Sequence, residues 1–104
     1  MDLIELEKKI VPEMFNIMEL RYNILRNIYY NQPIGRRGLA QKLNIGERLI
    51  STEVNILKEQ GLLNIETTGM YITEDGKEVI EKLKDIMREL KGISHLERQL
   101  KDIL

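Results

Sequence analysis

The chain has 104 residues, 42% of them hydrophobic and 32% charged, with a net charge of −1; these proportions fit one soluble, helix-rich domain with a modest core. It contains no Cys, which excludes disulfides, thiolate zinc sites and cysteine nucleophiles. No apolar run approaches a membrane span, and the opening MDLIELEKK lacks the apolar block of a signal peptide, so a cytoplasmic protein away from membranes is expected.

Leu3, Ile10, Ile17 and Ile24 recur every seven residues, with Leu6, Met14 and Ile28 between them, and this spacing predicts a long N-terminal helix over residues 1–31. Asp2 is placed to cap it. Pro12 removes a backbone donor and crowds the preceding turn, so it is expected to kink the helix or split it, leaving Glu13 to about Tyr30 as the stronger piece. Asn31-Gln32-Pro33 ends it.

Residues 33–73 carry the densest pattern: PIGRRGLAQKLNIGERLISTEVNILKEQGLLNIETTGMYIT. Gly35 stands at an N-cap position, and Leu39, Ala40 and Leu43 supply the buried stripe of a short helix. Asn44-Ile45-Gly46 makes a turn. Ile50, Val54 and Leu57 define the inner face of a helix from Glu47 to Gln60, which Gly61 stops. Two short β runs, 62–66 and 70–73, flank Thr67-Thr68-Gly69 as a hairpin. The order helix, turn, helix, hairpin is that of a winged helix-turn-helix. The expected fold is mainly α with a small β-hairpin and additional N- and C-terminal helices.

Thr73 caps a further helix, with Glu74 and Asp75 favourably placed at its N-terminal dipole. Val79, Leu83, Ile86, Leu90 and Ile93 are spaced as a coiled-coil seam and are candidate dimerisation residues. Gly92 is expected to interrupt this helix, and Ser94 with Glu97 to restart it as a capping box. Residues 74–104 thus read as C-terminal helices. The last one stops on an apolar residue, the expectation for a domain cut from a longer chain.

Charge is unevenly distributed. Residues 1–20 carry −3, residues 21–58 +5 and residues 59–104 −3, which puts a cationic segment over the helix-turn-helix. On helix 47–60 the arc opposite the apolar face holds Arg48, Ser51, Thr52, Asn55 and Lys58, all hydrogen-bonding types. The N-terminal half of such a helix reaches bases, so Arg48, Ser51 and Thr52 are assigned to bases, Asn55 to the margin and Lys58 to the backbone or solvent. Arg36 and Arg37 open the preceding helix, where two cations oppose the dipole unless a phosphate docks there. In the wing, Thr67, Thr68 and Gly69 are candidate contacts, weakened by Glu66 and by the lack of Lys or Arg. Arg21 and Arg26 read as surface charges. His95 is the only histidine and has no Cys partner, so no metal site is expected, and no nucleophile–base pair or phosphate loop suggests an enzyme.

The strings PIGRRGLA, LNIGERLI, LKEQGLL and TTGMYITEDG, together with the tail HLERQLKDIL, resemble the N-terminal domain of the central glycolytic genes regulator family, repressors of the SorC/DeoR type. That resemblance implies operator DNA binding by this domain, with Arg48, Ser51, Thr52 and Asn55 in the recognition role and Arg36 and Arg37 on phosphates or operator. It also implies a phosphorylated-sugar effector bound by a C-terminal domain beyond Leu104. Double-stranded operator DNA and a second copy of the chain, as a homodimer or higher homo-oligomer, are the expected partners. The alternative is a winged helix used only for protein interaction or dimerisation, for which an acidic rather than basic central face would have argued.

Overall fold

The computed structural model describes residues 2–103, excluding the side chains of residues 6–8, 11 and 93–103. Its elements are α1 (Leu3–Asn31), α2 (Arg36–Leu43), α3 (Glu47–Glu59), β1 (Leu63–Glu66), β2 (Gly69–Ile72) and α4 (Glu74–Ile103). The two strands form an antiparallel hairpin with Leu63 opposite Ile72 and Glu66 opposite Gly69, so Thr67-Thr68 is its two-residue turn. This is the winged helix-turn-helix that the pattern predicts.

The core forms where three helices and the hairpin bring their apolar faces together. Ile24, Leu25 and Ile28 of α1 meet Leu39 and Ala40 of α2, Ile50, Val54 and Leu57 of α3, and Leu63 and Met70 of the hairpin. All are aliphatic or Met, and among the described residues no polar or charged side chain is buried with them. Each fully buried Leu or Ile contributes about 1.5–3 kcal/mol relative to exposure, so this cluster carries most of the stability.

Local chemistry ends the elements where the sequence signals lie. Asp2 accepts from the Glu5 N–H at 2.8 Å and caps α1. Asn44 closes α2 in the left-handed region (φ 53°). After α3, Gly61 has φ 76°; its N–H bonds the Lys58 carbonyl, and the Leu62 N–H bonds that of Leu57. That paired closure is a Schellman motif, which needs a residue tolerant of positive φ. The Thr73 hydroxyl then ties two ends together, accepting from the Gly76 N–H (3.0 Å) and donating to the Gly61 carbonyl (2.7 Å).

Three expectations are corrected. Helix α1 runs through Pro12 as one 29-residue helix rather than splitting there, because an exposed proline forfeits one backbone bond while the turns on either side keep their own. Helix α4 runs unbroken through Gly92 and the Ser94–Glu97 stretch, so residues 74–103 form one helix. A mid-helix Gly costs about 1 kcal/mol against Ala but stops a helix only with a closure such as that at Gly61. Arg21 is not an idle surface charge. Its Nε meets Glu53 Oε2 at 2.8 Å, with the two side chains 31% and 12% exposed, and the pair joins α1 to α3. The side chains of Ile93, His95, Leu96, Leu100 and Ile103, with Leu104, lie outside the described residues, as does that of Leu6.

The two seven-residue seams also divide. Ile24 is core, whereas Leu3, Ile10 and Ile17 are exposed. Val79 packs against the core, and Leu83 lines a cleft with Ile17, Met18, Leu25 and Leu57. Ile86 remains exposed and Leu90 half-buried. Lys77 lies over the Tyr29 ring and Lys91 over the Phe15 ring, which sets α1 and α4 antiparallel. A hydrogen bond from Lys77 to Glu74 also raises the Lys77 pKa.

Replacing Gly61 with Ala places a Cβ at positive φ and should destabilise the fold by about 1–2 kcal/mol in urea titrations. Arg21→Ala leaves the largely buried Glu53 carboxylate without its donor and should cost about 1–3 kcal/mol in the same measurement.

Candidate nucleic-acid interface

With Ile50, Val54 and Leu57 turned inward, α3 presents Arg48, Thr52, Asn55 and Lys58 to solvent, with Ser51 half-buried beside them. Helix α2 flanks one side of this row. Arg36 leans across from it and donates through Nη2 to Asn55 Oδ1 at 2.8 Å. Its Nε is buried without a partner. Arg36 is thus held against α3 and steadies the Asn55 amide, leaving the Asn55 NH2 group as that side chain's unengaged end. Arg37 is the freer cation: its side chain is 80% exposed, and its approach to Glu47 is a loose 3.9 Å.

Thr52 uses its hydroxyl locally, donating to the Arg48 carbonyl at 3.1 Å. Its outward contribution is therefore an acceptor and a methyl group. Arg48 has no such engagement among the described residues and points from the first turn of α3, where a major-groove helix reaches base edges. The candidate row therefore comes together on one surface, though Arg36 and Thr52 are already committed in part.

The wing is braced from behind. The Met70 N–H bonds the Ile34 carbonyl at 2.8 Å, and the Ile72 N–H bonds Gln32 Oε1 at 3.0 Å. Gly69 has φ 133°, and a Cβ there would lie 2.9 Å from the Ile34 nitrogen. That close approach accounts for Gly69 by packing, within strand β2, and moves it away from the turn expected of it. Thr67 and Thr68 occupy the tip. The Thr68 hydroxyl already pairs with the Tyr71 hydroxyl at 2.8 Å, a partner that the sequence signals missed. Gln32 was also missed. Its signal is its place beside Pro33, where a side-chain acceptor can serve a neighbouring strand edge.

A sequence profile of the CggR N-terminal DNA-binding domain matches residues 17–87, which include all of this surface. The chain belongs to that family. It is 43% identical over 102 residues to the central glycolytic genes regulator of Bacillus subtilis (strain 168), covering 98% of this chain and 30% of the relative. The protein of the same name from Priestia megaterium (strain DSM 319 / IMG 1521) is 43% identical over 100 residues, covering 96% of this chain and 29% of that one. The chain therefore spans under a third of the length of these relatives. Among solved structures, a protein of unknown function from Listeria innocua Clip11262 superposes with a TM-score of 0.58 at 18% identity, covering 89% of this chain and 86% of that one, which supports the fold alone. The family is one of DNA-binding domains of transcription regulators and is not an enzyme class. No described helix is long and apolar enough to cross a membrane, and the described residues hold no cluster of three metal-ligating side chains.

Because Arg36 supports Asn55, Arg36→Ala should free the Asn55 amide, whose side-chain NMR resonances should then shift and sharpen. An unchanged Asn55 signal would remove Arg36 from that supporting role.

Proposed function

We propose that this domain binds operator DNA as one half of a homodimer, placing the N-terminal half of α3 in the major groove. The observation that carries this is the orientation of α3: Ile50, Val54 and Leu57 are buried, and Arg48 with its polar neighbours is left outside on the +5 segment. In this reading Arg48 reads guanine, Ser51, Thr52 and Asn55 contact neighbouring base edges, and Arg37 and Lys58 meet phosphates. Arg36 positions Asn55 and adds positive charge near the backbone. Thr67 and Thr68 lie at a wing tip that adds little affinity, since Glu66 beside them repels phosphate.

The relatives' name suggests the target class, so the proposed role is control of central glycolytic genes, by repression, in the cytoplasm. The effector is proposed to be a phosphorylated sugar held outside the region that this chain shares with its relatives. The proposed dimer contact uses the exposed members of the two seven-residue seams, Leu3–Ile24 and Val79–Ile93, on the outer face of the α1–α4 pair. Ile10, Met14, Ile17 and Ile86 are each 44–49% exposed there. Two copies of that face, packed as a four-helix bundle, would align two reading heads for symmetric half-sites.

Fluorescence anisotropy with palindromic duplex libraries at several salt concentrations tests the DNA reading. Affinity should fall steeply with salt, and Arg37→Ala should weaken all sequences and reduce the slope of log K against log salt by about 1. Arg48→Ala should instead relax preference at one base pair, costing about 1–3 kcal/mol. Salt-independent binding would refute this function. In sedimentation velocity, Ile17→Glu with Ile86→Glu should convert a dimer to monomer; an unchanged mass would refute the proposed contact.

A further inference from the structure

Burial on α3 leaves one large apolar side chain exposed. Leu49, the third residue of the helix, is 46% exposed and takes no part in the core cluster. Large apolar side chains are exposed elsewhere on α1 and α4, but among the described residues of 33–73 Leu49 is the only one. It follows Arg48 directly and lies three residues before Thr52, the spacing of neighbours on one helix surface. The hydroxyl proton of Thr52 is engaged with the Arg48 carbonyl, so Thr52 adds a methyl group beside Leu49 rather than a donor. An apolar pair thus sits in the first turns of the helix that enters the groove, among polar readers.

We propose that Leu49, with the Thr52 methyl beside it, selects a thymine by burying its C5-methyl group in the major groove. The chemistry is specific because that methyl is the one apolar group on the major-groove edges of the four bases. A leucine side chain has no hydrogen-bonding group, so it cannot discriminate by donors and acceptors. It favours thymine by removing a methyl group and its own isobutyl group from water. Arg48 supplies guanine donors from the adjacent position, so the half-site read by α3 contains both a guanine and a thymine. This inference rests on α3 being the reading helix.

The test uses duplexes that the wild-type domain selects from a random library. Each thymine is replaced in turn by deoxyuridine, which pairs identically but lacks the C5-methyl, and affinities are read by anisotropy. At a thymine in each half-site, deoxyuridine should weaken wild-type binding about fourfold, the effect of one buried methyl group. Leu49→Ala should bind the thymine and deoxyuridine duplexes alike, whereas Leu49→Met should keep the difference. Leu49 is exposed, so thermal melts should show both variants folded. If no replacement by deoxyuridine affects the wild type while Arg48→Ala still relaxes base preference, the thymine contact is overturned. If neither Arg48→Ala nor Leu49→Ala changes preference, the reading of α3 fails and this inference fails with it.

Discussion

The structure depends on the burial of one face of α3 in the core that it shares with α2, the hairpin and α1. Ile50, Val54 and Leu57 are at most 1% exposed, and they share one core cluster with Leu39 and Ala40 of α2, Leu63 of β1 and Ile24, Leu25 and Ile28 of α1. That contact fixes the rotation of α3 about its axis, and the rotation decides which side chains face out. The Arg21–Glu53 ion pair reinforces the same contact at its margin. A partly buried pair of this kind adds little net stability over apolar packing, but it penalises any rotation that separates its members. The outward face of α3 is therefore set by groups that lie on its inner side.

This arrangement also settles how the excess of central cations is used. Three of the arginines in the segment act within the protein as well as at its surface: Arg21 on Glu53, Arg26 over the Tyr30 ring and Arg36 on Asn55. Counting charge along the chain treats them as equal, although a guanidinium held in a fork has less freedom to meet phosphate than one at 80% exposure. Arg37, Arg48 and Lys58 are the cations best placed to form the electrostatic footprint. The wing follows the same logic. Its strand edge is occupied by Ile34 and Gln32, so it stabilises the head more than it extends the binding surface.

The elements were largely legible because their signals are local: Asp2, Gly35, Asn44 and Gly61 act within a turn of their own position, as does Thr73 where it caps α4. Partners distant in sequence were not legible. Nothing near Arg21 points to Glu53, and nothing near Arg36 points to Asn55, since those pairs exist only once the helices cross. Two local rules were also too strong. Pro12 and Gly92 lower helix propensity, but a helix end requires the carbonyls to find other donors, as they do after α3 at Gly61 and Leu62. Leu49 escaped the sequence reading for another reason: an apolar residue beside an apolar stripe looks like core until its exposure is known.

The seven-residue repeats show the limit of periodicity most clearly. Leu3, Ile10, Ile17 and Ile24 share one spacing, yet Ile24 is sealed in the core while the other three are exposed. Period locates a face on a helix and says nothing about what covers it. Helices α1 and α4, about 45 Å long at 1.5 Å per residue, outrun a head built from short elements, so their packing against each other leaves an outer apolar side. An antiparallel pair in this position has a mechanical consequence: any second copy that covers the outer side is coupled to α3 through the continuous α1, with Ile17 in the arm and Ile24 in the core only two turns apart. A shift between two such pairs would be transmitted to the spacing of the reading helices without unfolding either head.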